Sequence, residues 1–173
     1  MTFTGIDNQT VELKITNYQY PEITDGDWDS NWLNIYLNVK SNFGNWQTVD
    51  PSLTTWDVER LIKWFDNLSN NIQPEYTDIC FLEPNISFEL MNSFDSETKT
   101  IRIKFDFESR PQSATDDEEY FVEFIADNNG LKSITTDLRM QLEKYPERKP
   151  AHNIILPKAG RTWWQKLFNL NNY

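Results

Sequence analysis

Apolar and polar side chains alternate along the first part of the chain, most cleanly at Val11, Leu13 and Ile15 against Glu12, Lys14 and Thr16. A period of two marks a strand with one buried and one wet face. The pattern returns at Leu33, Ile35, Leu37 and Val39, set between Asn34, Tyr36, Asn38 and Lys40. The turn-forming Asn42-Phe43-Gly44-Asn45 then predicts a hairpin with Trp46-Gln47-Thr48-Val49. After Asp50-Pro51 the period becomes helical: Val58, Leu61, Ile62, Phe65 and Leu68 share one stripe behind an N-cap at Thr54 or Thr55. Ser69-Asn70-Asn71 and Gln73-Pro74 end that helix, because these residues favour turns and proline cannot extend the ladder.

Strands are predicted again over 86–92, 99–108 and 119–127. In the middle one Ile101, Ile103, Phe105 and Phe107 oppose Arg102, Lys104, Asp106 and Glu108. The polar, acidic stretch from Gln112 to Glu119 reads as a mobile loop before the last strand. Leu131, Ile134, Leu138 and Leu142 predict a second helix, begun near Gly130 and stopped at Tyr145-Pro146. The order of elements implies an α+β domain over residues 1–149, a mostly antiparallel sheet of about six or seven strands with two helices. Residues 150–173 form a basic, aromatic extension, expected to pack on that domain through Trp163, Trp164 and Phe168.

Composition narrows the function. Of 173 residues, 27 are acidic and 16 basic, a net charge of −11 that disfavours direct contact with nucleic acid or anionic lipid and favours a basic partner. The imbalance is uneven, since residues 147–173 hold five basic groups and one acid. The N-terminus lacks the basic and apolar regions of a signal peptide, and no apolar run approaches the roughly 18 residues of a membrane span, so a cytoplasmic protein is expected. Seven Trp, seven Tyr and eleven Phe supply enough buried area for a core without staples. The lone Cys80, inside Ile79-Cys80-Phe81-Leu82, reads as a buried thiol.

Candidate chemistry is sparse. His152 is the only histidine, which argues against a Ser-His-Asp triad or a multi-histidine zinc site, and the five glycines form no phosphate-binding loop. Asp25-Gly26-Asp27-Trp28-Asp29-Ser30-Asn31 begins like a calcium loop but has Ser30 where glycine is needed and Tyr36 where a bidentate glutamate is needed. It reads instead as an Asp-rich turn entering the strand at Trp32. Asp106 and Glu108 share a face with Arg102 and Lys104, so cross-strand ion pairing explains them better than a glycosidase pair. No catalytic residue, metal or cofactor is expected. Trp28, Trp32, Tyr36 and Trp46 sit in turns or on polar phases of strands, where partial exposure suits an interface.

Several blocks resemble the WapI family of bacterial immunity proteins: Asn17-Tyr18-Gln19-Tyr20-Pro21, Trp28-Asp29-Ser30-Asn31-Trp32-Leu33-Asn34-Ile35, and Gly44-Asn45-Trp46 followed by Asp50-Pro51-Ser52-Leu53-Thr54-Thr55-Trp56. The helix through Trp64 and Glu83-Pro84-Asn85-Ile86-Ser87-Phe88 extend the resemblance over roughly residues 6–145, in order and with similar spacing. It implies a cytoplasmic, non-enzymatic antidote that binds the C-terminal toxin domain of a secreted, contact-dependent polymorphic toxin, typically a nuclease. The acidic body suits such a basic partner. Exposure and charge, not the resemblance, nominate the toxin-binding residues: Asp25, Asp27, Trp28 and Asp29, with Asp116, Asp117, Glu118 and Glu119 steering the approach. The resemblance does not reach the extension or fix the oligomeric state, for which a monomer or weak dimer is expected. A small-ligand or carbohydrate-binding module using exposed tryptophans is the alternative reading.

Overall fold

A computed structural model describes residues 1–150. Strand β1 (Thr2–Thr4) pairs with β2 (Thr10–Tyr18), β2 with β3 (Trp32–Ser41), and β3 with β4 (Gly44–Thr54), all antiparallel. Helix α1 (Thr55–Ser69) follows, then a second antiparallel sheet of β5 (Asp78–Ile79), β6 (Ile86–Leu90), β7 (Thr98–Phe105) and β8 (Tyr120–Asp127). Helix α2 (Asn128–Leu142) closes the order. The α+β class holds, but the strands divide into two four-stranded sheets rather than one of six or seven. Strands as short as Thr2–Thr4 and Asp78–Ile79 carry too few residues to display a period.

One hydrophobic cluster joins both sheets and both helices. At its centre Phe3 of β1 packs against Phe124 (4.8 Å between centroids), Phe88 (6.1 Å) and Phe65 of α1 (6.3 Å). Gly5 lets β1 approach this closely: it forms an antiparallel bridge to Phe124, and a Cβ there would lie 2.7 Å from Val122 Cγ1 and 2.8 Å from the Glu123 carbonyl. On the far side Trp46 Nε1 donates to the Ser109 carbonyl at 2.8 Å, tying β4 to the segment after β7.

The helices are placed by their caps. Thr54 accepts from Asp57 N (3.1 Å) while Asp57 accepts from Thr54 N (3.0 Å), a reciprocal box that satisfies two orphan donors of α1. Asp127 accepts from Gly130 N at the start of α2. Gln141 of α2 reaches over to accept from Ile15 N at 2.8 Å, at the β2 irregularity between Ile15 and Asn17 where the ladder loses a partner. Lys99, on the inward phase of β7, is buried with its ammonium 2.6 Å from the side-chain oxygens of both Asn71 and Asn128, linking the end of α1 to the start of α2. Burial depresses its pKa, opposed by the Asp95 charge.

Several expectations are corrected. Strand β4 runs through Asp50-Pro51 to Thr54; a bulge in its pairing with β3 accommodates the proline. Trp46 is buried, not partly exposed. Strand β7 ends at Phe105, and Phe107 turns outward at φ +47°, 63% exposed, instead of continuing the inward row. Cys80 is exposed, because the run alternates with Ile79 and Phe81 inward and Cys80 and Leu82 outward. Arg102 and Lys104 do pair across strands, but with Glu123 and Glu89; Asp106 pairs locally with Arg110. The expected packing of Trp163, Trp164 and Phe168 lies outside the described residues.

Because Phe3 contacts rings from both halves of the core, Phe3→Ala should cost about 3–5 kcal/mol. Urea unfolding should show the loss as a lower midpoint with an unchanged slope, whereas a midpoint within error of wild type would mean that the two sheets are stabilised independently of this cluster.

Candidate functional site

The loop between β2 and β3 is built by short polar residues bonding to their own backbone. Asp25 Oδ1 accepts from Asp27 N at 3.0 Å, an Asx turn, and the Asp27 carbonyl accepts from Ser30 N, Ser30 Oγ and Asn31 Nδ2. A short 3-10 turn over Asp29–Asn31 results. Gly26 sits at φ +87°, and a Cβ there would lie 2.1 Å from Pro150 N, so the position requires glycine twice over.

Asn31 holds this loop to the rest of the molecule. It is fully buried; Nδ2 donates to the carbonyls of Asp27 (3.1 Å) and Arg148 (3.0 Å), and Oδ1 accepts from Arg148 N (2.8 Å) and Thr55 Oγ1 (3.2 Å). Arg148 itself donates to the carbonyls of Tyr20, Pro21 and Ile23, with its guanidinium 3.5 Å from the Tyr18 ring centroid. The chain after α2 is thereby laced into the β2–β3 loop.

Held this way, Trp28 projects outward, 60% exposed, with its ring edge-on to Trp56 at 5.0 Å. Trp56 Nε1 donates to Glu147 at 2.8 Å, and this bond, followed by one from Lys149, holds the Glu147 carboxyl below its usual range. Trp28, Trp56 and the 64% exposed Leu82 line an apolar groove whose rim includes Asp57 and Arg60.

Beside it lies an acidic cleft. Asp29, Asp50, Glu83 and Glu108 converge there with Tyr20 and Trp32. Among the described residues none of these four carboxylates takes part in an ion pair. Asp50 belongs to the β4 row Trp46, Thr48, Asp50, which pairs across from the inward Val39, Leu37 and Ile35. The segment after β7 covers that row at Trp46. Thr48 and Asp50 are therefore polar groups on the core side of an edge strand: Thr48 Oγ1 has no partner among the described residues, and burial, then the Glu108 charge, pushes the Asp50 carboxyl up. Asp50 and Glu108 also line the adjoining hollow toward Arg110, which reaches Asp116 at 3.5 Å.

The nominated residues thus sit at two ends of one surface. Asp25, Asp27, Trp28 and Asp29 share the β2–β3 loop, and of these Asp29 enters the cleft and Trp28 the groove. Asp116, Asp117, Glu118 and Glu119 occupy the β7–β8 loop beyond Arg110. Part of their charge is spent internally: Asp116 pairs with Arg110, Glu119 lies 3.9 Å from Arg102 and 3.7 Å from Lys104, and Glu118 accepts from Tyr120 OH. Nothing in the sequence pattern points to Asp50, Glu83, Trp56 or Leu82, and the pattern around Glu108 points to an ion pair; alternation alone cannot show that separate segments meet. Trp46 and Trp64 are buried, which leaves fewer tryptophan faces for a ligand than composition suggests.

The chain matches the Immunity protein WapI-like family over residues 2–146 and belongs to that family. No curated protein matches it. No helix among the described residues is long and apolar enough to cross a membrane.

Asp50 has a folded-state pKa above its unfolded value, so its ionised form costs stability at neutral pH, and that cost disappears as pH falls below the unfolded value. A side-chain carboxyl NMR titration should find Asp50 above the ordinary aspartate value and moved back toward it by Glu108→Gln. An Asp50 that titrates identically with and without Glu108 would mean that the two carboxylates do not sense each other.

Proposed function

We propose that this member of the WapI-like immunity family neutralises its cognate toxin by laying the acidic cleft over a basic active site, with Trp28 as the apolar anchor, and that the toxin is a nuclease. Membership implies a cognate toxin. The observation that carries the mode of binding is the convergence of Asp29, Asp50, Glu83 and Glu108, without a basic partner among the described residues. Like charges gathered in a partly desolvated cleft repel one another, and an incoming lysine or arginine relieves that repulsion while gaining charge-assisted hydrogen bonds. Nuclease sites present such side chains to bind phosphate, so a carboxylate cleft competes for the same groups.

The surface divides the labour. Trp28 offers a large rigid ring already supported by Trp56, which lowers the ordering cost of binding. Asp25, Asp27 and the Asp116–Glu119 loop lie at the margins, where charge accelerates encounter more than it strengthens the complex. Phe107, exposed beside Glu108, is a second apolar contact.

Two measurements test this on the toxin domain recovered with the tagged protein and identified by mass spectrometry. Trp28→Ala should weaken binding by about 2 kcal/mol or more, roughly thirtyfold in Kd, and Glu83→Lys should slow association and flatten its salt dependence. Wild-type affinity in both variants, with the toxin's RNA or DNA cleavage still blocked, would place the interface elsewhere. The second concerns pH. A cationic neighbour favours ionised Asp50, so binding releases a proton and tightens as pH rises through the Asp50 titration; Asp50→Asn should remove that pH dependence.

A further inference from the structure

The last described residues leave the fold at a defined place. Asn31 bonds both the N–H and the carbonyl of Arg148, and three loop carbonyls hold its guanidinium. Two residues later Pro150 lies against Gly26, so residue 151 starts next to the loop that presents Trp28. There the groove of Trp28, Trp56 and Leu82 is open, with Trp28 60% and Leu82 64% exposed. Large side chains held this far into water within one groove are surface for something to cover.

Residues 151–173 have the matching chemistry. They contain Lys158, Arg161 and Lys166 and no acid, while Trp163, Trp164, Leu167 and Phe168 recur at the spacing of one helical face. The groove's own rim carries Asp57 paired with Arg60, and the adjoining cleft presents Asp29 and Glu83, which follow Trp28 and Leu82 in the chain. Twelve residues separate Pro150 from Trp163, a reach of roughly 40 Å when extended, so tether length does not prevent docking. Such a short tether gives an effective concentration on the order of millimolar, which populates even a weak intramolecular contact.

We propose that residues 151–173 dock in cis on the Trp28–Trp56–Leu82 groove, their tryptophans covering its apolar floor and their lysines and arginine facing Asp29 and Glu83 of the adjoining cleft. The segment then shields Trp28 in the free protein, and any partner that uses Trp28 must displace it. This goes beyond the toxin-binding reading, and its test involves no toxin, so either can fail without the other.

Cys80 is the only cysteine of the chain, is exposed, and lies two residues before Leu82, with its carbonyl accepting from the groove residue Arg60. A nitroxide attached there in the full chain reports on the groove without any engineered cysteine. In the oxidised state the indole N–H resonances of Trp163 and Trp164 should lose most of their intensity relative to the reduced state. The loss should shrink in 1 M salt, where the screening length falls to about 3 Å. It should shrink also in Trp28→Ala or, as a smaller change, Leu82→Ser. Undiminished Trp163 and Trp164 signals in the full chain overturn the proposal. So does broadening that appears equally when isotope-labelled chains without nitroxide are mixed with unlabelled nitroxide-bearing ones, since that contact would run between molecules.

Discussion

The side-chain amide of Asn31 is the constraint on which the face bearing the groove and the cleft depends. One buried group bonds the β2–β3 loop through Asp27, the first turn of α1 through Thr55 and the chain after α2 through both backbone groups of Arg148. A planar amide supplies two donors and an acceptor with two lone pairs, and here both ends are engaged in a site without water access. Loss of this amide would leave the Arg148 N–H without its bond at a part-buried site, at about 1–3 kcal/mol for an unsatisfied buried group, so one side chain couples the three segments. Trp28, Gly26 and Asp29 inherit their positions from that coupling.

The acidic cleft rests on a conflict of another kind. An inward row on an edge strand ordinarily carries apolar residues, and β4 begins that way with Trp46. Thr48 and Asp50 then occupy the same row, leaving a hydroxyl without a partner among the described residues and a carboxyl whose ionised form is penalised. Polar groups left in this condition raise the energy of the free protein and lower that of a complex that satisfies them. The strained backbone of Phe107, which turns the following Glu108 toward Asp50 instead of prolonging β7, adds to the same balance. On the proposed function, stability in the isolated chain is exchanged for readiness to receive cationic groups.

The groove and the cleft meet along Trp28 and Asp29, adjacent residues of which the first lines the apolar groove and the second the acidic cleft. In the proposed complex this junction would supply specificity: charge attracts many basic surfaces, but only one shaped to fill the groove gains the apolar contribution. In the β7–β8 loop, Asp116 lies within ion-pair distance of Arg110 and Glu119 of Arg102 and Lys104, so two of its four acids have cationic neighbours within the chain.

What the sequence determined by itself is local. Period-two runs placed β2, β3, β6, β7 and β8, the helical stripe and Thr54 placed α1, and the ordered blocks through Trp28, Trp46 and Glu83 carried the family, because each signal is complete within a few neighbouring residues. The tertiary structure alone decided that there are two sheets, that Trp46 is buried while Cys80 is exposed, and that Asp29, Asp50, Glu83 and Glu108 share one cleft. Those outcomes depend on which segment covers which face. That is set by packing between residues distant in the chain, and no periodicity in the chain encodes it.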